Sequence, residues 1–219
     1  MLQGPDGHRF TCTVVNVARR ELVVSVGEQL TPPPLPSRHV VLLQAAVKEK
    51  AADLIVQKVT ELGIAALWFF PAERSTVAHK VLASAHQRER WERMAWEACK
   101  QCDRQGPPEL RILPDWHSAL AEAAPFTRWM LEASAPDNSA GLLHADALLA
   151  NAKTENARPA RPEPGGTLTL LVGPEGGLTN TERQEALSQG WQALALGRTV
   201  LRAETAALAA CSLALFGLP

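Results

Sequence analysis

The chain has 219 residues, of which 46% are hydrophobic and 21% charged, and its formal net charge is -1 at pH 7. This composition is typical of a soluble globular protein, and no apolar run approaches the length that a membrane-spanning helix needs. The balanced charge predicts no global attraction to nucleic acid, so any such contact would come from a local basic patch. The first residues, MLQGPDGHRF, lack the charged-then-apolar order of a secretory signal, which predicts a cytoplasmic protein.

Two proline-rich segments divide the chain. Residues 9–26 contain many β-branched side chains and predict two strands that turn near Ala18-Arg19-Arg20. The run TPPPLPS at 31–37 then interrupts regular structure, so we predict a small β domain over residues 1–36 and a larger domain over 37–219. The segment 151–166 lacks apolar periodicity and is predicted to be an exposed, mobile loop.

From Val40 onward the pattern changes to alternating strands and helices, which predicts an α/β domain. Gly63 follows an amphipathic segment and is well placed as the left-handed residue after a helix. The six tryptophans lie in apolar segments, which favours core packing over base stacking. The elements predicted in this half of the domain are strands at 40–47, 65–70, 109–113 and 128–133 and helices at 48–63 and 85–103.

The sequence contains one C-x-x-C pair, Cys99 and Cys102, inside the helix predicted over 85–103. A structural zinc site needs a second ligand pair at similar spacing, and the sequence has none. We therefore predict two thiols on one helix face and no bound metal.

A glycine-rich loop follows a strand predicted to be buried. Residues 167–173, TLTLLVG, are nearly all apolar or β-branched, as in the centre of a parallel sheet, and they run into Gly-Pro-Glu-Gly-Gly at 173–177. Thr179 and Glu182 have the spacing of a capping box, which predicts a helix from Thr179 to Gly190. Neither the P-loop spacing nor the dinucleotide-binding spacing is present. The loop could let a ligand lie on bare backbone, or it could be a tight turn.

A second apolar segment that ends in glycine, WQALALG at 191–197, predicts another strand and loop. An apolar helix is predicted directly after it, with Arg202 and Glu204 near its start. Ligands of open α/β sheets bind beyond the carboxyl ends of the strands. We therefore expect the two glycine loops to form two walls of one pocket with charged groups at its rim.

Five ordered motifs resemble those of the bacterial 16S ribosomal RNA uridine N3-methyltransferases, a family of the SPOUT superfamily of S-adenosylmethionine-dependent enzymes. The match runs from about Val40 to the C-terminus. The motifs are QKVTELG (57–63), ERS (73–75), EACKQCDRQGPPEL (97–110), VGPEGGLTNTE (172–182) and LGRTVLRAETA (196–206).

The resemblance implies an α/β fold, with a SPOUT-type methyltransferase domain whose C-terminal segment forms a trefoil knot. The N-terminal strands resemble the later part of a PUA-like β-barrel, which implies a truncated RNA-binding domain. The resemblance to the methyltransferase family further implies a cytoplasmic homodimer. This homodimer would use S-adenosylmethionine to methylate N3 of a specific uridine in 16S rRNA of the small ribosomal subunit. Two alternatives stay open: a non-catalytic RNA-binding module on a knotted scaffold, and a SPOUT methyltransferase with another target.

The resemblance also assigns site residues. Arg202 and Glu204 lie in the motif nearest the expected methyl group and are the candidate catalytic residues, while Glu204 could instead cap the final helix and Glu175 could accept loop amides. Many family members have Pro-Arg after the second Leu-Gly, where this chain has Arg198-Thr199. The candidate RNA contacts are Arg74, Arg104 and Lys58. The candidate cofactor-binding residues are Leu131, Glu132, Val172, Gly173, Pro174, Glu175, Gly176, Gly177, Leu196, Gly197, Leu201 and Arg202.

Overall fold

The computed structural model describes residues 2–4, 8–31, 38–133, 143–144 and 166–217. The predicted domain boundary between residues 36 and 37 lies outside these ranges. So does all of the predicted loop over 151–166 except Gly166.

The N-terminal strands form a three-stranded antiparallel sheet in the order β1-β2-β3. The strands are β1 (Leu2–Gln3), β2 (Arg9–Ala18) and β3 (Glu21–Gln29). The predicted hairpin is confirmed, with Arg19 and Arg20 in its turn. Most of its side chains are exposed, including several valines of both long strands.

One arginine at the base of this hairpin fastens it to the larger part of the chain. Arg9 is 5% exposed, and its Nη1 donates to Asp103 at 2.8 Å. Its Nη2 donates to the carbonyl oxygens of Cys99 at 3.2 Å and Arg104 at 2.8 Å. Cys99 lies in the last turn of a long helix, and its carbonyl also accepts from the N–H groups of Asp103 and Arg104, the two residues that follow the helix. Arg9 therefore ties the hairpin to the C-terminal end of that helix.

We expect Arg9→Ala to lower the free energy of unfolding by about 2–3 kcal/mol, because it removes the hydrogen bonds of a charged donor to Asp103, Cys99 and Arg104. Urea denaturation followed by circular dichroism measures the change. Arg19→Ala is the matched control, since Arg19 is exposed in the hairpin turn. Equal stability of the Arg9 and Arg19 variants would contradict the anchoring role.

The rest of the chain alternates strands and helices, as predicted. The strands are β4 (His39–Ala45), β5 (Ala66–Phe70), β6 (Glu109–Ile112), β7 (Thr127–Leu131), β8 (Leu143–His144), β9 (Thr167–Val172) and β10 (Gln192–Ala195). The helices are α1 (Glu49–Leu62), α2 (His79–Leu82), α3 (Ala85–Cys102), α4 (Trp116–Ala123), α5 (Asn180–Ser188) and α6 (Ala203–Ser212), the last continuing into a π-helical turn, Leu213–Gly217.

Among the described residues these strands form one sheet in the order β6-β5-β4-β9-β7-β10-β8, and all its strand pairings are parallel. The late strand β9 inserts between β4 and β7, and β10 pairs on the other side of β7. The carboxyl ends of β4, β9, β7 and β10 are consequently neighbours at one edge of the sheet.

The sheet is buried on both faces. Alternate residues of β4 point to opposite sides, with Leu42 in one cluster and Leu43 in the other, and both are fully buried. Side chains of α1, α3 and α6 cover the first face, and those of α4 and α5 cover the second. This three-layer arrangement confirms the predicted α/β class. No helix in the described ranges is both long and apolar enough to cross a membrane.

Two helix-terminus predictions are confirmed. Gly63 adopts a left-handed conformation with φ 94° after α1, and its N–H donates to the carbonyls of Val59 and Thr60. Thr179 and Glu182 form a reciprocal capping box at the start of α5. Two helices, α2 and α4, were not predicted, and α6 begins only at Ala203.

Candidate functional site

A cavity of about 950 Å³ lies at the carboxyl ends of four neighbouring parallel strands. Its walls come from the segments after β4, β7, β9 and β10 and from the first turns of α1 and α6. This is the edge at which open α/β sheets bind ligands. The volume is in the range of small-molecule and cofactor sites.

The structure brings together all the residues predicted to bind a cofactor, and the two predicted catalytic residues line the same cavity. β7 lies between β9 and β10, so its end separates the two glycine loops and supplies a third wall. The lining residues that were predicted are Leu131, Glu132, Val172, Gly173, Pro174, Glu175, Gly176, Gly177, Leu196, Gly197, Leu201, Arg202 and Glu204.

The first glycine loop is both a tight turn and a cavity wall, so the two interpretations left open by the sequence are compatible. The N–H of Gly177 donates to the carbonyl of Pro174 at 2.8 Å, and Gly177 has φ 68°, which L side chains rarely adopt. A Cβ placed on Gly177 would meet no heavy atom within 4 Å, so the space beside it is open. At this point the cavity is lined by backbone alone.

Neighbouring loops fix this loop in place. Glu175 Oε1 accepts from the backbone N–H of Lys48 at 2.9 Å. The predicted alternative, in which Glu175 accepts a backbone amide, is therefore seen, but the amide belongs to the segment after β4. Buried Gln44 donates from Nε2 to the carbonyl of Gly173 at 3.4 Å.

Arg74 and Glu182 hold the same loop from the side of β5. Arg74 Nη1 donates to the carbonyls of Gly176 at 3.2 Å and Leu178 at 3.5 Å. Glu182 is 6% exposed, and its Oε1 accepts from the N–H of Glu73 at 2.8 Å. The turn that carries Arg74 is thereby tied to the first turn of α5.

The second loop carries the predicted catalytic pair. Gly197 has φ 149°, again outside the range that L side chains favour. Arg202 is exposed and immediately precedes α6, and its guanidinium makes no hydrogen bond or ion pair with another described residue. Glu204 lies in the first turn of α6, where the helix dipole favours its negative charge, but no side-chain hydrogen bond among the described residues caps this helix. The capping role proposed for Glu204 is therefore not observed.

An ion pair joins the third wall to α5. Glu132, at the end of β7, accepts from Arg183 Nε, and the two side chains are only 10% and 19% exposed. Its second carboxylate oxygen, Oε2, is buried and has no hydrogen-bond partner among the described residues. Because the cavity borders this carboxylate, a bound donor could satisfy it.

The three predicted RNA contacts lie outside the cavity wall and already have intramolecular partners. Lys58 Nζ pairs with Glu61 one turn along α1, at 2.8 Å. Arg104 is half-buried and donates to the carbonyl of Thr60 at 3.3 Å, and burial lowers the pKa of its guanidinium. Arg74 holds the glycine loop, as described above.

The cavity has further charged residues that the sequence interpretation missed. Lys48 and Lys50 are exposed at the start of α1 and line its rim, and Arg183 is the partner of Glu132. The position of Lys48 and Lys50 directly after a buried strand, VVLLQAAV, was the available signal. No signal in the sequence pointed to Arg183, because its partner Glu132 is 51 residues away.

The two cysteines of the C-x-x-C pair lie on α3, away from this cavity. Cys99 is buried, and burial raises the pKa of its thiol to about 11, which disfavours the thiolate that binds metals or attacks disulfides. In the ranges that the structure describes, no group of three or more His, Cys, Asp or Glu side chains could hold a metal ion.

Comparison with known proteins agrees with this geometry. A family model described as "RNA methyltransferase domain" matches residues 33–215. The ribosomal RNA small subunit methyltransferase E of Bacillus subtilis is 28% identical over 207 residues, which cover 94% of this chain and 77% of that protein. The enzyme of the same name from Synechocystis is 32% identical over 190 residues, which cover 85% of this chain and 54% of that protein.

A solved structure has the same fold. The crystal structure of ribosomal RNA small subunit methyltransferase E from Neisseria gonorrhoeae, bound to S-adenosyl methionine, superposes with a TM-score of 0.71 at 27% identity. The match covers 94% of this chain and 78% of that chain. Since the family model spans most of the chain and includes every element that builds the cavity, this protein belongs to the RNA methyltransferase family.

Proposed function

We propose that the protein is an S-adenosylmethionine-dependent methyltransferase that methylates N3 of a uridine in 16S rRNA of the small ribosomal subunit. One observation carries the proposal: two bare glycine loops and the end of β7 converge on one cavity. The relatives named as small subunit rRNA methyltransferases, and the neighbour with bound S-adenosyl methionine, support it.

The cavity suits this cofactor in size, and its lining offers carboxylates to the positive groups of the cofactor. S-adenosylmethionine has a sulfonium, an ammonium and a carboxylate, and is therefore a net cation at neutral pH. Glu132, Glu175 and Glu204 supply negative charge along a wall that also carries Lys48, Lys50, Arg183 and Arg202. Among the described residues the buried Oε2 of Glu132 is an unused acceptor for a hydroxyl or amine. At Gly177 and Gly197 a ligand can lie against the backbone, since no side chain intervenes.

When bound, S-adenosylmethionine supplies a methyl group that its sulfonium has already activated. The protein's task is then to orient the uracil and to stabilise the negative charge that develops as N3 loses its proton. Arg202 is the candidate for this role, because its guanidinium lines the cavity and is free of partners within the described part of the chain. Glu204 lies two residues further along the same wall. It is the candidate for orienting the proton on uracil N3 or for accepting it.

The finer architecture is also part of the proposal. Insertion of β9 between β4 and β7, followed by β10 on the far side of β7, supports a C-terminal trefoil knot. The N-terminal antiparallel sheet supports a PUA-like domain within residues 1–36. Exposed Val200 and Phe216, 79% and 66% accessible, support a homodimer in which a second subunit covers them. Sedimentation equilibrium should then give the mass of two chains. We assign the protein to the cytoplasm, where its substrate is assembled.

The RNA is proposed to approach past Lys48 and Lys50. A polyanion complements these rim lysines, whereas the cationic cofactor does not, and neither ammonium has a partner within the described ranges. We expect Lys48→Ala and Lys50→Ala each to weaken RNA binding. Each should also reduce the magnitude of the negative slope of the log association constant against log salt concentration by about 0.7–0.9. Filter binding over a salt series measures this slope. An unchanged slope in both variants would contradict a phosphate contact.

A methyl-transfer assay on small-subunit particles from a strain lacking the enzyme tests the proposed function. The expected result is one added methyl group, which mass mapping places on N3 of a uridine in 16S rRNA. Cofactor binding without transfer to these particles would favour another target. A folded protein that binds RNA but no S-adenosylmethionine would favour the non-catalytic module.

A further inference from the structure

Arg74 was predicted to contact RNA, and the structure shows contacts with the first glycine loop that the sequence did not reveal. Its side chain bonds to the loop that forms one cavity wall, and no described carboxylate pairs with it. We propose that Arg74 is a positioning residue that holds the first glycine loop in the conformation required to bind the cofactor. The inference rests on the proposed function for its link to S-adenosylmethionine, although the loop contact itself is independent of any ligand.

A rigid turn presents Arg74 to the loop. After β5, the N–H of Ala72 donates to Ser75 Oγ at 3.1 Å, and the N–H of Ser75 donates to the carbonyl of Ala72 at 3.0 Å. Between them, the N–H of Glu73 donates to buried Glu182. Because Glu182 also caps α5, the turn and the helix that follows the glycine loop form one connected unit.

Arg74 completes the fixation of two peptide units. In the first, the carbonyl of Gly176 accepts from Arg74 and the N–H of Gly177 donates to Pro174. In the second, the carbonyl of Leu178 accepts from Arg74 and the N–H of Thr179 donates to Glu182. Each peptide plane is therefore held at both its carbonyl and its amide, and among the described residues Arg74 alone holds the carbonyl side.

The stem of Arg74 also packs against the loop. A Cβ placed on Gly176 would be 3.2 Å from the Cβ of Arg74, closer than side-chain carbons normally approach. The absence of a side chain at Gly176 lets the arginine stem lie directly on the loop backbone. This contact and the two hydrogen bonds act at the same place.

Without Arg74 the loop would sample more conformations, and binding would include the cost of ordering it. We expect Arg74→Ala to weaken S-adenosylmethionine binding roughly tenfold, the equivalent of two ordinary hydrogen bonds. Arg74→Lys should recover part of this affinity, because an ammonium can bond to one of the carbonyls. In turnover, the KM for the cofactor should rise while the KM for RNA stays at the wild-type value.

Two measurements on the full chain test the inference, with Arg93→Ala as matched control because Arg93 is an exposed arginine on α3. Calorimetry with S-adenosylmethionine gives the affinities. Hydrogen exchange without ligand should show faster exchange at Gly177 and Thr179 in Arg74→Ala and no change in the control.

Each outcome is decisive. Wild-type cofactor affinity and wild-type exchange in Arg74→Ala would overturn the inference. Weaker RNA binding with unchanged cofactor affinity would also overturn it and restore the RNA contact. If the wild-type chain binds no S-adenosylmethionine, the proposed function fails, and the exchange rates at Gly177 and Thr179 still decide whether Arg74 holds the loop.

Discussion

Arg202→Ala is expected to reduce methyl transfer by at least about 100-fold, the loss typical when a donor to a developing anion is removed. Affinity for S-adenosylmethionine should stay within the same order of magnitude, because the glycine loops and the end of β7 are untouched. Arg202 is exposed and does not cap α6 through its side chain, so the variant should fold normally. Single-turnover transfer to small-subunit particles and calorimetry measure the two quantities separately.

Arg202→Lys serves as the companion variant, since it keeps the positive charge and loses the planar, forked donor set. A rate between those of the wild type and Arg202→Ala would indicate that both charge and geometry contribute. Wild-type turnover in Arg202→Ala would remove this residue from the mechanism and leave Glu204 as the charged candidate on that wall.

Gly197→Val should impair cofactor binding while leaving the two buried faces of the sheet intact. At φ 149° a β-branched residue costs about 1–3 kcal/mol of strain, and its side chain would stand where the cavity is lined by backbone. Strain of that size corresponds to roughly 5- to 150-fold weaker binding of S-adenosylmethionine if the loop must regain its conformation. Calorimetry gives the affinity and thermal unfolding gives the stability.

Gly106→Ala is the matched control. A Cβ at Gly106 would meet no heavy atom within 4 Å, and its φ is not in the positive range. This variant should bind the cofactor and unfold as the wild type does. If Gly197→Val also bound with wild-type affinity, the second glycine loop could not be a wall of the cofactor site.

Much of the fold is readable from the sequence where one local signal is strong. Buried strands such as TLTLLV stand out by composition, and Thr179 with Glu182 marks a helix start. Helix α4 was missed although Trp116, Ala119, Leu120 and Ala123 have helical spacing and are all buried. Its eight residues were too short to stand out beside the surrounding loops.

The sequence predicted which residues line the candidate site, but not which contacts hold its loops in place. Glycines after apolar strands indicate a ligand site locally, which is why both loops and Arg202 could be named. The contacts that hold the loops join residues far apart in sequence, such as Arg74 with Gly176 and Lys48 with Glu175. Such pairs depend on the order of strands in the sheet, and β9 enters that order between β4 and β7. The sequence alone does not specify that order, so these intramolecular contacts of Arg74 and Lys48 could not be predicted.

A crystal structure of the full chain grown with S-adenosylhomocysteine tests the central claim most directly. The account predicts density for the nucleoside against the backbone of residues 173–177 and 196–202, with Glu132 Oε2 bonded to the ligand and Arg202 beside the sulfur. Density at any other surface, or clear absence of the ligand from this cavity at saturating concentration, would contradict it.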